Sequence, residues 1–239
     1  MVWHLMSIAE NISLVRERIN AASRRAGRDP GEVALMGVTK TLLAERIWEA
    51  YHAGLRLFGE NRVQEFAGKA EALRDLAGAE WHMIGHLQTN KAAAAAELFS
   101  AVDSVDSLRL AQRLNAAAAQ LGKKLAVLIE VNVGGEAAKS GVAPASEEIE
   151  AILRSAPELE HLEIRGLMTI PPFTEDPEGA RPCFRMLRRL RGEIAERRLP
   201  GVAMDALSMG MSHDFEVAIE EGSNCVRVGT AIFGERDRT

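Results

Sequence analysis

The stretch Val33-Ala34-Leu35-Met36-Gly37-Val38-Thr39-Lys40-Thr41 decides the fold class of this chain. Its apolar part has the length of a buried strand, and a pattern of helical period follows it over 45–53. A strand followed directly by a helix is the unit of parallel α/β folds. An open doubly wound sheet usually carries the fingerprint G-x-G-x-x-G after its first strand, whereas this strand ends in Thr-Lys-Thr. The stretch therefore favours a closed barrel over an open sheet.

The same cycle of strand and helix recurs along the rest of the chain. Eight short apolar segments are predicted as strands, over 33–39, 55–58, 81–85, 101–104, 125–132, 161–168, 205–208 and 224–228. Further helices are predicted over 61–77, 89–97, 107–121, 146–156, 178–198 and 213–221, and one more over 5–26 precedes the first strand. Eight such units predict an α/β fold, a single (β/α)₈ TIM-type barrel with an extra N-terminal helix.

The composition is that of an ordinary globular protein. Of the 239 residues, 47% are hydrophobic and 26% are charged, which excludes disordered, fibrous and collagen-like classes. No Pro/Gly/Ser-rich linker divides the chain, so we expect one domain over 1–239. No apolar run is long enough for a membrane span, no secretory segment is evident, and the two cysteines are too few for a disulfide framework. We therefore expect a cytoplasmic protein that does not bind membranes.

The charge balance bears on the partners. A net charge of −5 and a pI of about 5.8 argue against nucleic acid as a partner. The helix over 178–198 is nevertheless rich in arginine on one face. A solvated helix paired with Glu193 and Glu196 is the simpler interpretation, and a contact with an acidic partner enzyme is the alternative.

In a TIM-type barrel the active site lies at the carboxyl ends of the strands. The polar and glycine positions predicted there, with Met168, are Lys40, Glu60, Asn61, His82, His86, Ser104, Asp106, Asn132, Met168, Thr169, Ser208, Ser212, Arg227, Gly229 and Thr230. Lys40 is a candidate Schiff-base lysine, because desolvation favours the neutral amine that attacks a carbonyl. Position alone favours the alternative, in which Lys40 extends into solvent.

The last strand and the loop before it change that balance. Gly229 and Thr230 follow strand eight at a predicted helix start, where N–H groups can hold a phosphate, and Ser208 and Ser212 supply hydroxyls in the loop after strand seven. Helix capping would explain either loop alone, but not both loops together with the strand-eight Arg227, which needs a partner for its charge. The combination with Lys40 suggests a phosphorylated aldehyde, pyridoxal 5′-phosphate (PLP).

Eight segments in this order resemble those of the YggS/PROSC family of pyridoxal-phosphate homeostasis proteins. They are 37–41 (GVTKT), 58–65 (FGENRVQE), 81–91 (WHMIGHLQTNK), 104–107 (SVDS), 131–141 (VNVGGEAAKSG), 166–172 (GLMTIPP), 208–212 (SMGMS) and 227–234 (RVGTAIFG). The resemblance covers nearly the whole chain. It departs from the family pattern at Thr39, where serine is usual, at Thr41-Leu42-Leu43, which lacks a common proline, and at Asp103.

The resemblance implies a barrel similar to the N-terminal domain of alanine racemase, and it implies roles for individual residues. Lys40 would carry PLP as a Schiff base, and Arg227 would face the pyridine nitrogen. Ser212, Gly229 and Thr230 would hold the phosphate, while Asn61 and Met168 would line the pocket. We expect no catalytic residue and no metal site.

The roles implied by the family resemblance suggest that the protein binds PLP without strong catalytic turnover. An arginine beside the ring nitrogen weakens the electron sink that amino-acid chemistry needs. The only tyrosine, Tyr51, lies in an apolar helical pattern, so we expect it in the core and not as a second acid/base. We therefore expect a monomeric protein of intracellular PLP homeostasis, with PLP-dependent apoenzymes as candidate recipients. The alternatives are a PLP-dependent racemase using His82, His86 or Asp106 as its second base, and a lysine-dependent aldolase without PLP.

Overall fold

The computed structural model describes residues 6–135 and 140–235. Residues 136–139 of the segment 131–141, and residue 5 of the first predicted helix, lie outside this range. The extra N-terminal helix is confirmed as α1, Ile8–Arg25. It begins with a capping box between Ser7 and Glu10, and its apolar face, with Ile12 and Ile19, is buried against the barrel.

Strands and helices then alternate along the chain. The strands are β1 (Ala34–Val38), β2 (Leu57–Glu60), β3 (Glu80–Met83), β4 (Ala101–Val105), β5 (Leu125–Glu130), β6 (Leu162–Met168), β7 (Val202–Met211) and β8 (Cys225–Val228). The helices are α2 (Ala44–His52), α3 (Val63–Leu73), α4 (Ala92–Leu98), α5 (Leu108–Gln120), α6 (Glu147–Ser155), α7 (Arg181–Glu196), α8 (Phe215–Glu220) and α9 (Thr230–Phe233).

The eight strands form a closed barrel in sequence order. Every neighbouring pair is parallel, and β8 closes the barrel against β1. The predicted (β/α)₈ architecture is therefore confirmed. Because all the strands run the same way, the segments that follow them meet at one end of the barrel, which we call the mouth.

Two predicted strands differ from the observed strands by two or more residues at both ends. The strand predicted over 55–58 is β2, Leu57–Glu60. Leu55 follows the left-handed turn at Gly54 and is buried in the core before pairing begins, while the fully buried Glu60 pairs with Met83 of β3. The strand predicted over 205–208 is β7, Val202–Met211, and its pairing with β8 shifts in register between residues 208 and 211.

Candidate functional site

The site is built first from the two strands that close the barrel. Met36 and Gly37 of β1 pair with Arg227 and Val228 of β8, so the segments that follow these strands run side by side. Lys40, half-buried, lies two residues beyond the end of β1. The predicted lysine and the predicted phosphate-binding turn therefore follow adjacent strands at the mouth.

The turn after β8 presents backbone donors beside a hydroxyl. The Ser212 hydroxyl, in the loop after β7, accepts the N–H groups of Gly229 and Ala231, each at 3.2 Å. Thr230 is exposed and is the first residue of α9. Ser212 thus caps the start of α9 from a neighbouring loop. A phosphate group accepts hydrogen bonds from N–H groups and hydroxyls, so at this turn it would either replace Ser212 as the acceptor of these N–H groups or accept the Ser212 hydroxyl proton.

Arg227 lies inside the barrel with 3% of its surface exposed. Its Nη1 donates to Ser208 Oγ at 2.8 Å, and its Nη2 donates to the carbonyl of Thr169 at 2.7 Å. Ser208 was predicted in the loop after strand seven, which was wrong: it lies within β7 and pairs in register with the fully buried Met168. Burial lowers the pKa of Arg227, and the negative groups around it oppose that shift. The structure therefore brings Met168, Ser208 and Arg227 together through three consecutive strands.

Glu130 is a buried residue near this group that the sequence reasoning did not select. It ends β5 with 4% exposure, and its Oε1 accepts a hydrogen bond from Ser140 Oγ at 2.9 Å. Its Oε2 is buried and has no hydrogen-bond partner in the described part of the chain. Burial raises the pKa of Glu130, while Ser140 and Arg227 lower it. A charged residue that ends an apolar run is the same signal that selected Lys40.

Asn61 lies farther round the mouth, after β2. It lines a cavity of about 240 Å³ together with His86, which follows β3. His86 Nδ1 lies 3.1 Å from Asp106 Oδ2, and the His86 side chain is 58% exposed. Gly85 lets the two loops touch, because a Cβ at that position would lie 2.4 Å from the carbonyl oxygen of Asn61.

The prediction that His82 lies at the mouth was wrong. His82 Nδ1 lies 3.1 Å from Asp103 Oδ1, and both residues line a cavity of about 400 Å³ with Ala34, Glu80 and other residues at the amino-terminal ends of the strands. His82 and His86 thus lie in different cavities. Within residues 6–135 and 140–235, no group of three or more His, Cys, Asp or Glu side chains is placed to hold a metal ion.

Most of the arginines of the basic helix have acidic partners. Arg181, Arg185 and Arg188 surround the carboxylate of Glu221, at 2.8, 3.0 and 3.4 Å. Arg189 pairs with Glu193 at 2.7 Å, as predicted. The simpler interpretation, a helix with paired charges, therefore accounts for most of this surface. In the described part of the chain, no helix combines the length and apolar character needed to cross a membrane.

Comparison with known proteins places the chain in a family. The alanine racemase N-terminal domain family matches residues 5–237. The pyridoxal phosphate homeostasis protein of Aquifex aeolicus is 49% identical over 231 residues, covering 97% of this chain and 99% of the relative. The protein of the same name from Escherichia coli K12 is 43% identical over 232 residues, covering 96% and 97%.

Solved structures agree with this placement. PipY of Synechococcus elongatus PCC7942, determined with PLP bound, has a TM-score of 0.83 at 37% identity and covers 95% of this chain and 100% of PipY. Alanine racemase of Clostridium difficile 630 has a TM-score of 0.71 at 17% identity, with 95% of this chain and 57% of the racemase covered, which shows a shared fold. The chain belongs to the alanine racemase N-terminal domain family and, within it, to the pyridoxal phosphate homeostasis proteins.

Proposed function

We propose that this protein binds PLP and serves intracellular PLP homeostasis, with the cofactor held on Lys40. The observation that carries the proposal is that Lys40 follows β1 while the Ser212–Gly229 contact lies in the turn after the adjacent strand β8. The 37% identical PipY, whose structure contains PLP, supports it.

The residues present fit this cofactor by their chemistry. PLP supplies an aldehyde that condenses with a lysine amine to a Schiff base with loss of one water. Lys40 supplies the amine, and the N–H groups after β8 with the hydroxyls of Ser212 and Thr230 supply donors for the phosphate. Arg227 and Ser208, with Met168 and Asn61, would surround the ring. Lys40 and Arg227 also provide positive charge for the anionic ligand.

Retention of PLP is favoured over turnover by two features. Arg227 cannot accept a proton from a pyridine nitrogen, so it does not support the protonated ring that most PLP enzymes use. Tyr51 lies on the outer helix α2, where its hydroxyl donates to the carbonyl of Ala77 at 2.8 Å and the Arg56 guanidinium lies 3.9 Å from its ring centroid. A racemase is the second candidate. The His86–Asp106 pair at the mouth favours it, because it could serve as an acid/base.

The proposal extends to how the protein works in the cell. Residues 1–239 would form one PLP-binding domain that acts as a cytoplasmic monomer and delivers PLP to apoenzymes. The closed barrel supports the first point, because the strands need no further chain to complete the sheet. The paired arginines of α7 favour recipients that contact the mouth over recipients that contact this helix.

Visible absorbance with added PLP tests the proposal. The wild-type protein should develop a band for lysine-bound PLP, Lys40→Ala should lack it, and Lys123→Ala should keep it. Lys123 is a suitable control because it is also partly buried and donates to the carbonyl of Phe99, outside the Lys40 turn. No band in the wild type at excess PLP would contradict the proposal. Conversion of L-alanine to D-alanine at an enzymatic rate would favour the racemase.

A further inference from the structure

Lys40 lies in a tight and strained turn. The carbonyl of Thr39 accepts the N–H of Leu42 at 3.1 Å, so Lys40 and Thr41 are the two central residues of this turn. Thr41 has a φ of +63°, a left-handed conformation that is unfavourable for a β-branched residue. Such a conformation persists only where surrounding contacts hold it.

Two side chains of α3 provide those contacts. Lys69 Nζ donates to the carbonyl of Thr39 at 3.0 Å and lies 3.4 Å from the carbonyl of Leu42, so it contacts the turn on both sides of Lys40. The Glu65 carboxylate accepts the N–H of Thr41 and pairs with Lys69 at 3.2 Å. The first and last carbonyls and one central N–H of the turn are thus bound to α3.

The Lys69 ammonium also pairs with the buried carboxylate of Glu60. Lys69 Nζ lies 2.8 Å from Glu60 Oε1, and the two side chains are 11% and 0% exposed. Glu60 Oε1 also accepts the Thr39 hydroxyl at 2.5 Å. Burial raises the pKa of Glu60, and its hydrogen bonds with Lys69 and Thr39 oppose that shift. Because Lys69 and Glu60 are each costly to bury alone, each holds the other in place.

We propose that Lys69, with Glu60 and Glu65, is a positioning cluster that governs how Lys40 captures and releases its aldehyde ligand. This inference rests on the proposed function and adds regulation of the same site. A lysine on a fixed turn needs less ordering to reach an aldehyde in the reactive geometry than a lysine on a mobile loop. The cluster therefore favours the covalent state and leaves the phosphate contacts after β8 unaffected.

The test compares two ligands that differ at the reacting carbon. PLP can bond to Lys40, whereas pyridoxamine 5′-phosphate carries an amine there and cannot. We expect Lys69→Met to lower the affinity for PLP at least tenfold and to change the affinity for pyridoxamine 5′-phosphate less than twofold. Lys123→Met is the matched control and should change neither.

Glu65→Gln keeps the proposal testable if Lys69→Met does not fold, because Glu65 is partly exposed and its replacement retains the shape. Glu65→Gln should also lower the affinity for PLP relative to that for pyridoxamine 5′-phosphate, but by a smaller factor than Lys69→Met. An unchanged ratio of the two affinities in the folded variants, or equal weakening of both ligands, would overturn the positioning role. A wild-type protein that does not prefer PLP over pyridoxamine 5′-phosphate would instead overturn the proposed function.

Discussion

Arg227 Nη1 lies 2.8 Å from Ser208 Oγ inside the barrel, and both residues are buried. The second terminal nitrogen of Arg227 donates to the carbonyl of Thr169. A guanidinium removed from water needs such partners, because an unsatisfied buried donor costs the desolvation of the group. The Ser208 hydroxyl therefore keeps Arg227 in place in the protein before any ligand binds.

Ser208→Ala should destabilise the protein by about 1–3 kcal/mol, because it leaves Nη1 of Arg227 without this acceptor. It should also weaken PLP binding, since Arg227 then has a less fixed orientation. Urea unfolding and PLP titration measure the two effects. Ser100→Ala is the control: Ser100 donates to the carbonyl of Trp81 at 2.9 Å but is exposed, so its loss should cost less. Equal costs for the two variants would contradict this account of Arg227.

Gly85→Ala should destabilise the protein by roughly 1–3 kcal/mol, as overpacking usually does. The added Cβ would lie 2.4 Å from the carbonyl oxygen and 2.8 Å from the Cα of Asn61, so the two loops must separate. PLP affinity should fall as well if Asn61 lines the ligand pocket. Gly68→Ala, in α3 with nothing within 4 Å of the added Cβ, should instead stabilise the protein by about 0.5–1 kcal/mol. A neutral Gly85→Ala would contradict the close packing.

The barrel was predictable because its signal is repeated. Each apolar run of strand length is followed by a helical pattern. An error in the bounds of one strand, such as the two-residue shift of β2, therefore does not change the number of strand–helix units. The placement of Lys40 and of the turn after β8 on neighbouring strand ends was predictable for a related reason, since the order of strands in a closed barrel determines that the first and last are neighbours.

The positions and contacts of three residues could be found only from the three-dimensional structure: Glu130, Lys69 and His82. Glu65 and Lys69 are four residues apart, a spacing typical of an exposed helical pair, and only the packing of α3 on β2 brings Lys69 to Glu60. Glu130 ends an apolar run and could equally have been a solvated strand end. His82 was assigned to the mouth although it is only the second residue of the strand predicted over 81–85. In the structure it pairs with Ala101, the first residue of β4, so it lies near the amino-terminal ends of the strands.

Glu221→Gln should cost about 1–3 kcal/mol, because hydrogen bonds to a charged group are stronger than those to a neutral one. The carboxylate is 4% exposed and receives three arginines. Glu193→Gln is the control. Glu193 and Arg189 are 54% and 83% exposed, so the loss should not exceed about 1 kcal/mol. Chemical unfolding at low and high salt distinguishes the two contributions, since salt screens the exposed Arg189–Glu193 pair more than the buried Glu221 cluster. Similar losses would show that the Glu221 cluster behaves as a surface pair.

The pair of His82 and Asp103 should make stability depend on pH. Burial lowers the pKa of His82, but the charge and hydrogen bond of Asp103 outweigh burial, so the pKa is raised overall. The folded state then binds a proton more tightly than the unfolded state, whose histidine titrates near pH 6.5. The resulting stabilisation is complete below about pH 6.5 and is lost as the pH rises through the folded-state value.

Asp103→Asn should remove this decline in the free energy of unfolding, measured in urea between about pH 6 and 9, whereas His52→Gln on the exposed end of α2 should leave it unchanged. An identical decline in Asp103→Asn would assign it to other groups.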